Sequence, residues 1–475
     1  MAMRPYIRPL PTPCMQATGP TSLPMISITL NGKPRDLDGD LPLPDLLAAL
    51  NVNPRLVAVA VDGEVVPKRE YDTITIRDGD VIEIVRMVGG GEATPDPRPP
   101  TPDAGASIVI AGAGIIGCAI AYELSRRGLR CLLLDSRRAG MAATNAAAGV
   151  LAPLAEFQRP GALVRLGLES LRLYPAWVDR LREDAPDIDV EFVRNGVLRV
   201  AFDDEELAAL RLGLRYRDEL GVELLELDAA ALREAEPRLS ERIVGGLLCP
   251  EEGQVSNQLF TLALSRAAEK RGARVVEGAP VLGFTKRGGR VTGVRTPRGD
   301  FACDHLVLAA GPWTHSLAAK LGVDVPTRPM RGQMVAFGGM LTPVHQPVWG
   351  ARGYVLPRAN GLVFAGSTVE DVGFRIRTTK AGLAGVRRAA FEIVPQLRHA
   401  REHFSWAGLR PGSPDGLPIM GPLPGWDNVT VATGHFRNGI LLAPISGQLI
   451  AQLITNRRSP EALASFAPDR FSKMP

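Results

Sequence analysis

The chain has 475 residues, of which 45% are hydrophobic and 22% charged, a composition typical of a globular protein with two or three domains. A net charge of +4 spread along the chain argues against nucleic-acid binding, and no run of residues is apolar enough to span a membrane. The five cysteines are scattered, with no C-x-x-C pair. We therefore expect reduced thiols and a cytoplasmic protein that binds neither nucleic acid nor membrane.

The N-terminal 24 residues contain prolines and arginines but no acidic residue and no apolar core. This composition is more typical of a disordered leader at residues 1–24, or of an upstream start with Met25 as the natural start, than of a transit peptide.

Residues 25–91 predict a small domain of their own. ISITL alternates like a strand, and Asn31-Gly32 indicates a hairpin leading to KPRDL. Pro44 to Leu50 predicts a short helix, and LVAVAV, TITI and VIEIV predict further strands. Strands and one helix in this order indicate a ubiquitin-like β-grasp fold. The tail, which ends in Gly90 and Gly91, has so few side-chain atoms that it can enter a narrow active-site channel.

This segment resembles the sulfur carriers of thiamin thiazole synthesis, the ThiS family, in LNGKPRDL and in VAVAVDGEVVPKREYDTITIRDGDVIEIVRMVGGG. The resemblance implies a tail carboxylate that a carrier-adenylating enzyme activates for conversion to a thiocarboxylate. Here Glu92 follows Gly91, so either cleavage after Gly91 frees the carboxylate or the domain serves only for docking. Residues 92–106, EATPDPRPPTPDAGA, predict a proline-rich linker.

The stretch SIVIAGAGIIG, residues 107–117, predicts a strand, a glycine turn and a helix. In this pattern Gly112 permits the tight turn, Gly114 lets the backbone approach a pyrophosphate, and Gly117 lets the helix pack on the strand. The N–H groups and dipole of the helix favour the phosphates. A second predicted strand ends at Asp135, where an acceptor for a ribose hydroxyl is expected. Together these features predict a dinucleotide-binding domain.

The following residues predict alternating elements, with MAATNAAAGVLAP placing small residues where backbone can lie against a flat cofactor. Helices are predicted at 163–182, 204–220 and 259–271, and strands at 197–202, 273–276 and 280–284. The run HLVLAAGPW, residues 305–313, predicts a further buried strand that ends in a glycine, and it is expected to join the same parallel sheet and to present its C-terminal end to the cofactor. GQMVAF, GYVLPR and GLVFAGST predict an antiparallel sheet, and NVTVATG a last strand before a closing helix.

Residues 107 to about 454 resemble the flavin amino-acid oxidases of the D-amino-acid oxidase type, and within them the glycine oxidases of thiamin synthesis, called ThiO. The motifs that carry the resemblance are GAGIIGCAIAYELSRRG, AAAGVLAP, GYVLPR, WAGLRPGSPDGLPIMG and GHFRNGILLAP. The resemblance implies an α/β oxidoreductase domain over residues 107–475, which follows the α+β carrier domain in the chain. Within it, an FAD-binding Rossmann-type part spans about 107–160, 250–320 and 405–455. An antiparallel-sheet substrate part spans about 161–249 and 321–404.

The resemblance implies FAD as the cofactor. The residues implied to contact it come from the glycine turn, the end of the second strand, the small-residue segment and the closing helix: Gly112, Gly114, Ile115, Ile116, Gly117, Asp135, Ser136, Thr144, Ala148, Gly149, Val150, Val281, His435, Phe436, Arg437, Asn438, Gly439, Ile440 and Leu441. Asp135 stands where the family usually has glutamate, which leaves a ribose acceptor one methylene shorter.

Three residues are implied to act on the substrate. Arg410 in WAGLRPG matches the family's carboxylate anchor, since a guanidinium binds a carboxylate in bidentate fashion. Tyr354 in GYVLPR matches a hydroxyl that helps to hold substrate, and Arg437 in HFRNG matches a second residue near substrate and flavin. Val369 is expected to shape the pocket wall.

The implied reaction is hydride transfer from the α-carbon of the substrate to the flavin, with O₂ reduced to H₂O₂. Glycine would give iminoacetate, which a thiazole synthase would consume together with sulfur from the carrier. Sarcosine is a further expected substrate, and a homo-oligomer is expected by analogy with relatives. The alternatives are a broader D-amino-acid or sarcosine oxidase, a dehydrogenase, or a sulfur-carrier or docking protein with a degenerate flavin domain.

A metal site is considered at HAREH, where His399, Glu402 and His403 match the H-x-x-E-H pattern of some metalloproteases. Pro395 lies just upstream and the strand-like FSWAG just downstream, which leaves little room for a helix. We interpret the motif as a solvated helix end and expect no metal.

Overall fold

The computed structural model describes residues 26–30, 33–37, 39–50, 52, 54, 57–62, 64–66, 68–86, 108–155, 160–339 and 344–471. The chain divides into two compact units, residues 1–94 and 95–475. The predicted leader, the linker at 92–106 and the tail glycines Gly90 and Gly91 lie outside the described residues.

The first unit is a β-grasp domain in which a sheet packs on a short helix. Its elements in chain order are β1 (Ile26–Leu30), β2 (Lys33–Leu37), β3 (Leu41–Pro42), α1 (Leu43–Ala49), β4 (Val57–Val61), β5 (Glu64–Val66), β6 (Thr75–Ile76) and β7 (Val81–Arg86). The sheet order is β2-β1-β7-β4-β5, with β1 and β7 parallel. Leu43, Leu46 and Leu47 of α1 are buried with Ile28 and Val59 of the sheet, as the apolar spacing of the helix predicts. The predicted β-grasp fold is confirmed.

The second unit contains strands and helices in the order that the sequence predicts for an α/β domain. They are β8 (Ile108–Ala111), α2 (Ile115–Arg126), β9 (Cys131–Leu134), α3 (Ala143–Ala146), β10 (Val150–Leu151), α4 (Ala162–Asp184), β11 (Val197–Ala201), α5 (Asp204–Arg211), α6 (Arg217–Leu220), β12 (Leu225–Asp228), α7 (Ala229–Ala235), β13 (Gly245–Cys249), β14 (Gly253–Gln254), α8 (Asn257–Lys270), β15 (Arg274–Val276), β16 (Gly283–Arg287), β17 (Arg290–Thr296), β18 (Gly299–Ala302), β19 (His305–Leu308), α9 (Thr314–Ala319), β20 (Arg328–Gly338), β21 (Val348–Gly350), β22 (Gly353–Pro357), β23 (Val363–Gly366), β24 (Glu370–Asp371), α10 (Lys380–Ile393), β25 (Arg401–Gly412), β26 (Ile419–Pro422), β27 (Val429–Thr433) and α11 (Ala443–Asn456).

A six-stranded sheet of order β15-β9-β8-β19-β27-β26 forms the centre of this unit. Its strands are parallel except for β26, which pairs antiparallel with β27. Helices α2, α4, α8 and α11 share one core cluster with the sheet, in which Tyr122, Trp177 and Phe260 are fully buried. The small sheet β16-β17-β18 contributes Phe284 and Val294 to a second cluster with strand residues of the six-stranded sheet. With both faces covered, β8 (IVIA) and β9 (CLLL) are apolar along their whole length, as expected of strands inside a parallel sheet.

A nine-stranded sheet forms the other half of the unit, with the order β12-β13-β11-β21-β22-β23-β20-β24 and β25 paired to β20. The long antiparallel pair of β20 and β25 runs from Arg328 opposite Gly412 to Gly338 opposite Arg401. Helix α10 buries Leu383, Val386 and Ile393 in the core cluster of this sheet. The predicted antiparallel sheet is confirmed.

Three predicted elements differ from the structure. The single helix at 204–220 is interrupted by a 3₁₀ turn at Leu212–Tyr216, where Gly213 lowers helix propensity. The strand at 280–284 starts only at Gly283, as β16. The helix end predicted at HAREH holds only for His399, which follows the 3₁₀ turn Pro395–Arg398, because Glu402 and His403 lie on strand β25 and Glu402 pairs with Arg387 of α10 at 2.8 Å.

Two elements pack in a different part of the oxidoreductase domain from the one expected from the sequence. Helix α4, placed in the substrate part, shares the core of the six-stranded sheet with α2 and α11 because its buried face carries Leu171, Tyr174 and Trp177. Strand β25, placed partly in the cofactor part, belongs to the nine-stranded sheet. None of the described helices combines the length and the apolar composition needed to cross a bilayer.

Candidate active site

The glycine turn after β8 depends on two close backbone approaches. Gly112 has a φ of +114°, and a Cβ there would lie 2.4 Å from the carbonyl oxygen of Ala309. A Cβ at Gly117, in the first turn of α2, would lie 1.9 Å from the carbonyl oxygen of Gly112. Only glycine fits at either position, so the turn and the start of α2 are held against β8 and β19 as the motif predicts.

Asp135 lies at the end of β9, beside this turn. Its Oδ2 accepts a hydrogen bond from the backbone N–H of Ala113 at 2.8 Å, and its Oδ1 accepts one from the N–H of Arg137 at 2.9 Å. Burial raises the pKa of the Asp135 carboxyl, and the two N–H donors and the Arg137 charge oppose that rise. The carboxylate therefore fixes the turn while it faces the cavity beside it.

Thr144, at the start of the small-residue segment, caps the same helix. Its Oγ1 accepts a hydrogen bond from the N–H of Ile115 at 3.0 Å, so one of the free N–H groups at the start of α2 is used within the protein. Gly114 precedes α2 as its N-cap residue and lines the cavity.

A cavity of about 430 Å³ runs from this turn to the nine-stranded sheet. The sequence-predicted site residues that line it are Gly112, Gly114, Ile115, Ile116, Asp135, Ser136, Thr144, Ala148, Gly149, Val150, Val281, Tyr354, Arg410, His435, Phe436, Arg437, Asn438, Gly439 and Ile440. Two predicted contacts, Gly117 and Leu441, are not among the lining residues. Gly117 packs against the turn backbone, and the carbonyl of Leu441 accepts a hydrogen bond from Ser170 in the core.

One wall of the cavity is built from small residues. Ala142, Ala143 and Ala146–Val150 line it with little more than backbone and methyl groups. Gly149 has a φ of +88°, and a Cβ there would lie 2.1 Å from the carbonyl oxygen of Val255. Behind this segment the buried Arg358 donates to the carbonyl of Ala148 at 3.3 Å. The wall consequently carries only small groups on a backbone held by a close approach, which leaves room for a ring to lie against it.

Arg410 reaches the same cavity from strand β25. Its Nη1 donates to the backbone carbonyl of Thr368 at 3.0 Å and its Nη2 to the hydroxyl of Ser367 at 2.8 Å. On strand β20, Met330 lies directly opposite Arg410. Gly332, two residues further along β20, leaves the space in which the guanidinium lies. The sheet thus presents a half-buried cation to the cavity.

Tyr354 and Arg437 meet at the side chain of Trp349. The rings of Trp349 and Tyr354 stack with centroids 4.5 Å apart and an interplanar angle of 23°, and the Arg437 guanidinium carbon lies 5.5 Å from the Trp349 ring centroid. The Tyr354 hydroxyl lies 3.7 Å from the sulfur of Met334. Phenol, indole and guanidinium therefore form one layered group at the end of the cavity that Arg410 also lines.

His435 begins the glycine-containing turn before α11. It is buried, its Nε2 lies 3.0 Å from Ser446 Oγ, and burial lowers the pKa of its imidazole to about 3. The ring is therefore neutral at physiological pH. The next residue, Phe436, has a φ of +47° and donates its N–H to the carbonyl of Pro411 at 2.9 Å, which joins this turn to the end of β25.

Several lining residues were not predicted, namely Trp349, Trp313, Met334, Ser367 and Gly332. Trp313 lies in the 3₁₀ turn Gly311–Trp313, at the end of the run that the sequence predicts to face the cofactor. Strand pairing brings the other four to the site from separate stretches, and no local motif marks them. Val369, expected in the pocket wall, is 47% exposed and does not line the cavity. Within the described ranges, no group of three or more His, Cys, Asp or Glu side chains is placed to hold a metal ion.

The comparisons with known proteins agree with this geometry. The family model for FAD dependent oxidoreductases matches residues 107–453, and the ThiS family model matches residues 28–91. A bifunctional protein ThiO/ThiG from Trichormus variabilis is 37% identical over 371 residues, which cover 77% of this chain and 55% of that relative. The chain thus spans about half the length of the first curated relatives that it matches.

Two further similarities come from Geobacillus kaustophilus. Its glycine oxidase is 33% identical over 366 residues, covering 76% of this chain and 96% of the relative. The crystal structure of glycine oxidase from the same organism aligns with a TM-score of 0.73 and 32% identity, covering 77% of this chain and 98% of that structure.

The residues that line the cavity fit FAD. The glycine turn and the start of α2 offer backbone N–H groups to a pyrophosphate, Asp135 offers a carboxylate oxygen to a ribose, and small residues at Ala146–Val150 leave room for a ring. The cofactor of this family is FAD. The chain belongs to the FAD dependent oxidoreductase family and carries a ThiS-like unit ahead of its oxidoreductase domain.

Proposed function

We propose that the chain is an FAD-dependent glycine oxidase that converts glycine, and also sarcosine, to the imine while O₂ is reduced to H₂O₂. The observation that carries the proposal is that Arg410, Tyr354 and Arg437 line the same cavity as the glycine turn and Asp135. Relatives named glycine oxidase, at 33% identity over nearly their whole length, support it.

The side chains at the sheet end of the cavity suit a small amino acid. Arg410 would bind the carboxylate, and the Tyr354 hydroxyl would add a hydrogen bond to the same group. Trp349 and Met334 would exclude water from the α-carbon and leave little room for a side chain. A neutral amine is needed when hydride leaves, and the cations Arg410 and Arg437 in the same cavity disfavour an ammonium group there.

FAD, when bound, supplies the hydride acceptor and the route of electrons to O₂. The role of the protein is to orient the substrate. With its carboxylate bound to Arg410, the substrate can adopt few orientations, and orientation of this kind contributes much of the rate enhancement in enzymes.

We further propose that the product iminoacetate is used for the thiazole of thiamin. The support is the ThiS-like unit on the same chain, together with relatives that carry ThiO and ThiG on one chain. The partners in this proposal are a thiazole synthase and a carrier-adenylating enzyme, in the cytoplasm, with the oxidase as a homo-oligomer. Intact mass of the chain expressed in its own host tests the carrier role, which requires cleavage after Gly91 and addition of sulfur.

A panel of glycine, sarcosine and D-alanine, with peroxide release as the readout, tests the oxidase proposal. Glycine is expected to give the largest kcat/KM. Higher activity with D-alanine would favour a broader D-amino-acid oxidase, and flavin reduction without peroxide would favour a dehydrogenase. A chain that binds FAD but is reduced by none of the three would favour a docking protein with a degenerate flavin domain.

A further inference from the structure

The guanidinium of Arg410 is oriented by the segment that directly follows β23. Nη2 donates to Ser367 Oγ at 2.8 Å, and Nη1 donates to the carbonyl of Thr368 at 3.0 Å. Both acceptors are neutral oxygens, and the two bonds together fix the plane of the guanidinium. Ser367 itself lines the cavity.

Gly332 on β20 provides the space that the guanidinium occupies. A Cβ at this position would lie 2.1 Å from Nη2, 2.2 Å from Nη1 and 2.3 Å from Cζ of Arg410. Real Cβ atoms do not approach other atoms so closely, so any side chain at residue 332 would force the guanidinium to another position. Gly332 therefore determines where the cation of Arg410 lies.

Thr368 is fixed by a partly buried polar network that belongs to the sheet. Its Oγ1 accepts a hydrogen bond from the N–H of Gln333 at 3.0 Å, and the fully buried Gln333 side chain donates to Glu370 at 2.6 Å. Glu370 in turn accepts from Nε of Arg331 at 3.1 Å. The network therefore fixes residue 368 through its hydroxyl, and with it the carbonyl that accepts the hydrogen bond from Arg410.

We propose that Ser367 and Gly332 are positioning residues for the carboxylate anchor: Ser367 orients the Arg410 guanidinium through its hydroxyl, and Gly332 keeps the space for it. The inference rests on the proposed function, in which Arg410 binds the carboxylate of an amino acid. Neither residue needs to contact the reacting atoms; both act through Arg410.

The test measures binding of acetate, a carboxylate without an amine, to the oxidised holoenzyme through the change in its flavin spectrum. Acetamide, the neutral analogue, is expected not to bind. Ser367→Ala is expected to raise the Kd of acetate about tenfold, the usual effect of losing a hydrogen bond to a charged group. Ser367→Thr keeps the hydroxyl and is expected to stay near wild type.

Two matched controls separate positioning from general damage. Ser413 lies three residues after Arg410, is buried, and donates its hydroxyl to the carbonyl of Leu417 at 2.6 Å, so Ser413→Ala is expected to leave the acetate Kd unchanged. Gly332→Ala is expected to weaken acetate binding more than Ser367→Ala does. Gly385→Ala on helix α10, where a Cβ meets nothing within 4 Å, is expected to have no effect.

A double-mutant cycle distinguishes positioning from direct contact. With kcat/KM for glycine as the readout, adding Ser367→Ala to Arg410→Ala is expected to cost nothing further, because Ser367 acts only through the guanidinium. Additive losses, or a Ser367→Ala variant that binds acetate like wild type, would overturn the inference and leave the proposed function standing. A wild-type holoenzyme that does not distinguish acetate from acetamide would instead contradict the proposed function at Arg410.

Discussion

The carboxylate of Asp135 accepts a hydrogen bond from the backbone N–H of Ala113, 22 residues earlier, at 2.8 Å. This bond ties the end of β9 to the glycine turn after β8, so the acid that is expected to bind a ribose also holds the turn that is expected to bind the pyrophosphate. The two expected halves of the nucleotide site are thereby hydrogen-bonded to each other.

Replacing Gly112 by alanine is expected to abolish FAD binding. The Cβ would lie 2.4 Å from the carbonyl oxygen of Ala309, at a φ of +114° that alanine rarely adopts. Gly128→Ala is the matched control, since its φ is +76° and nothing lies within 4 Å of the added atom. The measurements are FAD content after purification and Tm. Equal FAD loss in both variants would indicate that backbone strain alone, not the close approach, is responsible.

Replacing Arg410 by lysine is expected to lower kcat/KM for glycine about 100-fold, since a lysine ammonium cannot form the paired hydrogen bonds that a guanidinium makes to a carboxylate. The FAD content should not change. Arg328→Lys, on the neighbouring strand and paired with Asp371 at 3.3 Å on the surface, is the control and is expected to have little effect. Unchanged kinetics in the Arg410 variant would remove this residue from the substrate site.

Tyr354→Phe is expected to raise the KM for glycine about fivefold, the loss of one hydrogen bond of about 1 kcal/mol. The ring should keep its stacking on Trp349, at 4.5 Å, because only the hydroxyl is removed. Tyr216→Phe, outside the cavity, serves as the control. A fall in kcat with an unchanged KM would instead place the hydroxyl in the chemical step.

The parts of the site that the sequence predicts are those that local motifs encode. Gly112 and Gly117 follow from a strand–turn–helix pattern, and Asp135 from its position at the end of the next strand. Trp349 and Ser367 are not predicted, because the pairing of β21, β22 and β23 brings them to the cavity. The spacing of residues in the sequence does not indicate which strands pair. The same limit applies to the layers of the fold, where α4 packs by tertiary contacts that its amphipathic pattern does not specify.

His435 is expected to make the protein less stable in acid. Its pKa is about 3 when folded and near 6.5 when unfolded, so between these values the unfolded chain binds the proton and stability falls as pH falls, by at most about 1.4 kcal/mol per pH unit. His435→Asn is expected to reduce the slope of the free energy of unfolding against pH. His399 is exposed, so His399→Asn is expected to keep the wild-type slope. Free energies of unfolding in urea, measured between pH 4.5 and pH 7, check the slope. An unchanged slope in His435→Asn would assign the acid sensitivity to other groups.

Anaerobic addition of glycine to the purified protein tests the central claim most directly. The account predicts a yellow protein with bound FAD whose flavin absorbance is bleached by glycine and returns, with release of H₂O₂, when O₂ is admitted. A colourless protein that does not take up added FAD, a flavin that glycine leaves oxidised, or an Arg410→Ala variant that glycine bleaches as fast as wild type would contradict it.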